Sequence, residues 1–479
     1  MQHKADPGPW LPAALAFVAA VTALRLGLLA FNRTDLFVDE SQYWLWGQSF
    51  EFGYFSKPPL VAWVIGAVTH LAGSDAPFWV RAPGPVFHAA TALILGELAR
   101  RLVGARAALW VAASYVTLPF VAVGSLLIST DTIMAPFFSA ALLFHHQTTS
   151  GGGLRPALLT GAMAGLAFLA KYAAFYFGLG VILAAIAVPA MRLRLQDAAA
   201  MLAAFAAVIL PNILWNLAHD NATVTHTMEN VGWVRPHAPP ITPDFPGGLE
   251  FLASQFAVFG PLLMAALVWS CFHRPLWRGH LAFVLPALIV VTFQAVIDKA
   301  YANWAIAAYF AGTIIAVASL LKTRPALVHL SLGINGAICV ILPILTLFPT
   351  YTAGRDTPLL SRYLGLADMS RRIISAAAAA GTSTIVADDR DILADLFYTG
   401  RDSGFTFHAR PSGGRAENHY EMNYPLPATL ASAVLFVSTT PPSCNGAPVA
   451  PSATFNAAIG EYRGTALAAY LINPVCLRP

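Results

Sequence analysis

The feature that most constrains this chain is a succession of apolar runs, each close to the length that crosses a bilayer. They lie near 11–31, 80–99, 107–124, 131–147, 156–170, 173–190, 198–217, 250–271, 280–297, 303–321 and 327–348. A spanning helix needs about 20 apolar residues, because backbone polar groups in hydrocarbon must be satisfied within the segment. The runs predict an α-helical polytopic membrane protein with about eleven transmembrane helices. Composition agrees. Hydrophobic residues make up 57% of the 479 and charged residues 11%, where a soluble domain carries about 25% charged. The first run lacks a convincing cleavage site and reads as a retained helix.

Basic residues orient the bundle. Arg100, Arg101 and Arg106 share one loop, and Arg155 sits in the next loop but one. Arg192 with Arg194, Arg274 with Arg278, and Lys322 with Arg324 continue the alternation. The positive-inside rule makes these loops cytoplasmic. The N-terminus is then inside, and the outer loops are 32–79, 125–130, 171–172, 218–249 and 298–302, with everything after about residue 349. The functional face is then extracytoplasmic.

From Thr350 the composition turns polar. "TSTIVADD" (382–389) and "ASAVLFVST" (431–439) read as buried strands, and "RDILADLFYTG" (390–400) as a helix ending at Gly400. "AAAAA" (376–380) fits a helix before the first strand. The expected organisation is a transmembrane bundle over 1–349 and an extracytoplasmic α/β domain over 350–479. Cys271 and Cys339 lie in apolar runs and read as core residues. Cys444 and Cys476 lie in the tail, where an oxidising compartment permits a disulfide; two separate thiols are the alternative. The net charge of +4 is spread out, with no basic run interleaved with aromatics, so nucleic acid is not expected as a partner.

The charges that oppose the orientation rule carry the functional reading. "DLFVDESQYWLWGQSFEFGYFSKPPLVAW" (35–63) follows the first helix. "LVAWVIGAVTHLAG" (60–73) is too short to span and reads as an interfacial amphipathic helix. Tyr43, Trp44, Trp46, Tyr54 and Trp63 read mostly as headgroup anchors. Asp39 and Glu40 lie just past a membrane helix, where desolvation is costly. Neighbours on a helix point about 100° apart, so the two carboxylates are expected to do different jobs. One would face a cavity as a general base and the other hold structure or a cation; a solvated acidic pair is the plain alternative.

Lys57 precedes Pro58 and Pro59, and Lys171 and Lys299 sit in short outer turns. Snorkelling to headgroups explains each lysine singly. Together, and alongside Asp39, they favour a shared anionic ligand such as a lipid-linked phosphate. Asp131 opens the fourth helix on the outer side, either as an ordinary capping residue with Ser129 and Thr130 or as a ligand for sugar hydroxyls or a divalent ion. The loop 218–249 carries His219, Asp220, His226, Glu229, Trp233, Arg235 and His237 and reads as a lid, without a zinc signature. Asn212 and Asn216 share a helical face and read as packing residues. Tyr43, Tyr54, His226 and Tyr301, with Asp131, are the candidate sugar- or acceptor-binding residues.

"DESQYWLWGQ", "GYFSKPPL" and the outer Asp131 resemble the polyprenyl-phosphate-dependent GT-C membrane glycosyltransferases, the group containing protein O-mannosyltransferases and the aminoarabinose transferase of lipid A. "AKYAAFYF", "LPNILWN" and "DKAYANWAIAAY" resemble the rhizobial lipopolysaccharide galacturonosyltransferases. The resemblance covers most of the bundle and is weak in the tail. It implies a GT-C fold with Asp39 as the catalytic base, Glu40 beside it, and Lys57 on the donor phosphate with Lys171 or Lys299. It implies inverting transfer of a sugar from a polyprenyl-phosphate donor to a glycolipid acceptor, lipid A or lipopolysaccharide core. One departure stands out: the aminoarabinose transferase has an acid just before the lysine of its "KPP" motif, and this chain has Ser56. No cofactor and no essential metal are therefore expected, and a divalent cation at that position is doubtful.

Two competitors remain. Transfer to protein uses the same chemistry. A lipid-linked sugar transporter would place charges near the bilayer midplane and show an internal repeat; here no repeat is visible and the ionisable residues gather on the outer side. The sequence sets neither the sugar nor the oligomeric state.

Overall fold

The computed structural model describes residues 10–232, 242–273 and 277–478. Trp233, Arg235, His237 and Arg274 lie outside the described residues. The chain falls into two compact units. One comprises Met1–Ala30, Lys57–Val61 and Arg81–Pro343, and the other Phe31–Ser56, Ala62–Val80 and Ile344–Pro479. Most of the first long loop therefore belongs with the C-terminal part.

The first unit is helical. Apolar helices run over Trp10–Ala30, Pro83–Val103, Ala105–Val116, Thr130–Gln147, Leu154–Ala170, Phe175–Ala187, Leu195–Ala218, Leu285–Ile297 and Ala307–Thr323. Among the described residues four helices are long and apolar enough to cross a membrane by length and composition, or five if one bent pair counts as a span. That pair corrects the single run read at 250–271. Phe245–Phe259 and Pro261–His273 meet at a bend of 117°. Gly260 takes φ +89° at the join and Pro261 cannot donate a helical hydrogen bond, so the chain turns there. The run at 107–124 is likewise split, with Pro119 opening a second short helix, Pro119–Gly124.

One cation is buried within the bundle itself. Arg25, in the first helix, is 1% exposed. Its Nη2 donates to the Val116 carbonyl at 2.7 Å and to Cys339 Sγ at 3.0 Å. A guanidinium buried among helices is costly unless it finds such acceptors, so Arg25 ties helix Trp10–Ala30 to Ala105–Val116 and Pro325–Leu345. Asn212 accepts from the Tyr172 hydroxyl at 3.0 Å, and Asn216 Nδ2 donates to the Asn212 carbonyl at 3.0 Å, so both asparagines are engaged within the bundle.

The second unit is built on a sheet. In chain order its strands are β1 (Thr384–Ala387), β2 (Thr406–Ala409), β3 (Val434–Ser438), β4 (Ser443–Cys444), β5 (Ala447–Pro448), β6 (Ala453–Phe455) and β7 (Leu467–Ile472). The main sheet has the order β2-β1-β3-β7-β6. β1 pairs in parallel with β2 and β3, while β7 pairs antiparallel with β3 and β6. Every residue of β1 and β3 is buried, as expected of strands covered on both faces. Phe436, Val386, Tyr470 and Ile472 form one side of this core. β4 and β5 make a small hairpin, and a disulfide joins Cys444 to Cys476.

The first loop contributes its aromatics to the same unit, which corrects their reading as headgroup anchors. Tyr43, Trp44, Trp46 and Tyr54 are all buried. Trp46 stacks on Tyr54 at 4.9 Å and meets His419 edge-on at 5.5 Å, and Trp44 packs edge-on against Tyr398 at 5.0 Å. Trp44 Nε1 donates to Asp75 at 2.8 Å. Such rings contribute more through burial and edge-to-face packing than through surface contact. Trp63 alone of the five stays partly exposed, stacked on the exposed Phe50. Helix Val38–Gly47 and helix Leu60–Ala72 approach closely because both carry glycine at the crossing: a Cβ on Gly66 would strike the Gly47 carbonyl.

Candidate active site

Two constellations hold the charged residues, one in each unit. In the second unit, Asp39 and Glu40 sit in the first turn of helix Val38–Gly47. Glu40 is 1% exposed, and its Oε2 accepts from the Phe37 backbone N–H at 2.9 Å. It satisfies one of the orphan donors at the start of its own helix. Asp39 points elsewhere, and its side chain is 43% exposed. Arg390 Nη2 donates to Asp39 Oδ1 at 2.5 Å, and Arg390 Nε donates to Gln42 Oε1 at 2.8 Å. Gln42 in turn reaches the Ser56 hydroxyl at 3.5 Å.

Arg390 comes from the turn after β1. The strand ends at Ala387, and Asp389 caps helix Arg390–Thr399 by accepting from the Asp391 N–H at 2.6 Å. The carboxyl ends of parallel strands are where α/β folds commonly present functional side chains. Asp388 is pinned there by Ser438 Oγ at 2.8 Å. Burial works against the Arg390 charge, yet Asp39 and then Asp391 hold the guanidinium above its ordinary range. Burial pushes the Asp391 carboxyl up, with Arg390 opposing. His419 is driven down to about 3 by burial and then by Arg390, so it is neutral at physiological pH.

In the first unit, Asp131 lies in the first turn of helix Thr130–Gln147. Ser129 is the cap, its side chain accepting from the Thr132 N–H. Asp131 is thus a first-turn acid next to that cap, and it also forms an ion pair. Lys171 Nζ donates to both carboxylate oxygens at 2.7 Å, and Asn303 Nδ2 adds a third bond at 3.1 Å. The pair is largely buried, with side-chain exposures of 19% for Lys171 and 9% for Asp131. Helix Leu154–Ala170 ends just before Lys171, whose extended backbone turns the side chain back toward Asp131. Lys171 thus gives its charge to a protein carboxylate. Lys57 is half-buried and also engaged, while Lys299 is exposed.

Of the candidate sugar- or acceptor-binding residues, Tyr43 and Tyr54 are core residues. The Tyr54 hydroxyl donates to the carbonyls of Trp46 and Ser49. Tyr301 is 55% exposed, and His226 lies on helix Ala222–Asn230. Among the described residues no three His, Cys, Asp or Glu side chains gather in a metal-binding group. The sequence reading missed Arg390, Gln42 and Asn303. The only local signal for Arg390 is its place in "ADDRD", directly after a strand.

Comparison with known proteins defines the class. A family model described as dolichyl-phosphate-mannose-protein mannosyltransferase matches residues 56–215. ArnT from Cupriavidus metallidurans, in the apo state, has the same fold with a TM-score of 0.60 at 12% identity, covering 88% of this chain and 92% of that one. The archaeal oligosaccharyltransferase AglB from Archaeoglobus fulgidus, in complex with an inhibitory peptide and a dolichol-phosphate, matches with a TM-score of 0.50 at 11% identity, over 82% of this chain and 64% of that one. The lipid A galacturonosyltransferase RgtD of Rhizobium johnstonii is 40% identical over 472 residues, covering 97% of this chain and 99% of its own. The chain belongs to the polyprenyl-phosphate-dependent GT-C membrane glycosyltransferases.

Proposed function

We propose that this enzyme moves a galacturonosyl residue, or another acidic sugar, from a polyprenyl-phosphate carrier to lipid A or lipopolysaccharide core. The observation that carries this reading is the 40% identity to a lipid A galacturonosyltransferase along nearly the whole chain. The reaction is a single displacement. The acceptor hydroxyl gives its proton to Asp39 as its oxygen bonds to the anomeric carbon. The bond from that carbon to the phosphate oxygen breaks, and polyprenyl phosphate leaves with the electron pair. The configuration inverts. Asp39 suits the base because one carboxylate oxygen is held by Arg390 while the side chain remains nearly half exposed. Lys57, with Lys299, balances the charge on the leaving phosphate. Lys171 contributes through its pair with Asp131, and Glu40 by starting the helix that carries Asp39.

The topology that accompanies this reading has about eleven spans, an inner-membrane location, a periplasmic reaction face and an extracytoplasmic 350–479 segment. The Cys444–Cys476 disulfide supports an oxidising compartment for that segment.

The test uses purified protein in nanodiscs, polyprenyl-phosphate galacturonic acid and lipid A, with mass spectrometry of the acceptor. Gain of one hexuronosyl group and release of polyprenyl phosphate are expected. Modification of a protein acceptor instead, or intact donor moved across the bilayer, would overturn the reading.

A further inference from the structure

We propose that Arg390 is a positioning residue for the transfer reaction, which makes the C-terminal α/β segment part of the catalytic machinery. The inference rests on Asp39 as the base. Arg390 stands 351 residues from Asp39 in sequence, yet its guanidinium is divided between two residues of one helix face. Nη2 holds Asp39 Oδ1, and Nε holds the amide oxygen of Gln42, one turn further along helix Val38–Gly47. A planar guanidinium bound at two points has little rotational freedom left. The contact to Asp39 is made by one oxygen only. A carboxylate clamped at Oδ1 keeps Oδ2 for a proton, in one fixed rotamer. A lysine cannot reproduce this, since its ammonium is a point charge without the fork.

The anchor of Arg390 is itself rigid. It is the first residue of a helix capped by Asp389, directly after a fully buried strand. Asp391, Tyr420 and His419 surround it within the same unit. Asp391 Oδ1 lies 3.7 Å from Nη1, so the third face of the guanidinium is balanced as well. The pairing places a carboxylate rather than adding much stability, because exposed ion pairs contribute little to folding.

The test compares Arg390→Ala and Arg390→Lys with wild type in the full chain. Arg390→Ala is expected to lower kcat by about 10- to 100-fold, the range associated with small misplacements of reacting groups, with KM for donor and acceptor nearly unchanged. Millimolar guanidinium should restore part of the rate to Arg390→Ala, and Arg390→Lys should recover little. Unchanged kcat, or a loss that tracks thermal stability and resists guanidinium rescue, would overturn the proposal. A second readout does not depend on which sugar is transferred. In arginine-labelled protein, solid-state NMR should show slow rotation of the Arg390 Nη2 group in wild type and fast rotation in Asp39→Asn. Fast rotation in wild type overturns the positioning role. Absence of transfer by wild type with every donor, alongside a clamped Nη2, overturns the proposed function alone.

Discussion

Consider removal of the Lys171 ammonium by Lys171→Met. At an effective dielectric of about 20, unit charges 2.7 Å apart attract by ~6 kcal/mol. Desolvation offsets most of that in a pair this buried. What remains is asymmetric. Without Lys171, the Asp131 carboxylate stays at 9% exposure with Asn303 and its helix N-terminus as support. Breaking a buried pair costs about 3–5 kcal/mol; the two residual partners place Lys171→Met near the lower end, at ~3 kcal/mol. Asp131→Asn should cost less, because Lys171 is the more exposed partner. The double variant removes both charges, so its cost should fall below the sum of the singles by about 1.5–3 kcal/mol. Denaturant titration of purified protein in micelles, followed by tryptophan fluorescence, measures all three. Additive single effects, or a Lys171→Met protein as stable as wild type, would show that Lys171 is not committed to Asp131.

Asp39→Asn should lower transfer by about 10²–10⁴-fold, the usual contribution of a general base, with donor affinity retained; radiolabelled donor binding and turnover on the same sample check both halves. Asp395, 1% exposed in helix Arg390–Thr399, is pushed up to about 6 chiefly by burial, against the pull of a bond from Ser370. A carboxyl raised in the folded state binds its proton more tightly there, so this contribution is most favourable below pH ~4 and is lost as pH rises through about 6. Asp395→Asn should therefore gain ~3 kcal/mol at pH 7 and little at pH 4, read from unfolding at both pH values; an equal effect at both would refute the assignment. Replacing Cys444 and Cys476 by serine should cost about 3–4 kcal/mol, from the closure of a 32-residue separation, measured by thermal unfolding with and without reductant.

Much of the helical layout is legible because apolar length is a local property. The run at 131–147 corresponds to helix Thr130–Gln147, and 198–217 to Leu195–Ala218. "TSTIVADD" and "ASAVLFVST" contain β1 and β3 because fully buried strands read as short apolar blocks. β7, "LAAYLI", escaped because a short alanine- and leucine-rich run suits helix and strand alike. The acidic pair was separable by helix geometry, and Asp39 and Glu40 do find different partners. The Asp131–Lys171 pair was within reach: consecutive antiparallel helices bring the start of one and the end of the next to the same level. Arg390 was not, since nothing near it in sequence names a partner hundreds of residues earlier. The buried aromatics were misread because interface and core favour the same rings.

The grouping of residues 31–56 and 62–80 with 344–479 bears on how the protein is made. The ribosome delivers Trp44, Trp46 and Tyr54 long before Tyr398 and His419, the rings that cover two of them. Until the last third of the chain emerges, this aromatic surface waits uncovered. Slow, non-local closure of this kind leaves apolar surface open to wrong partners. Chains arrested before about residue 344 should therefore be held by chaperones or degraded, even with their helices already inserted.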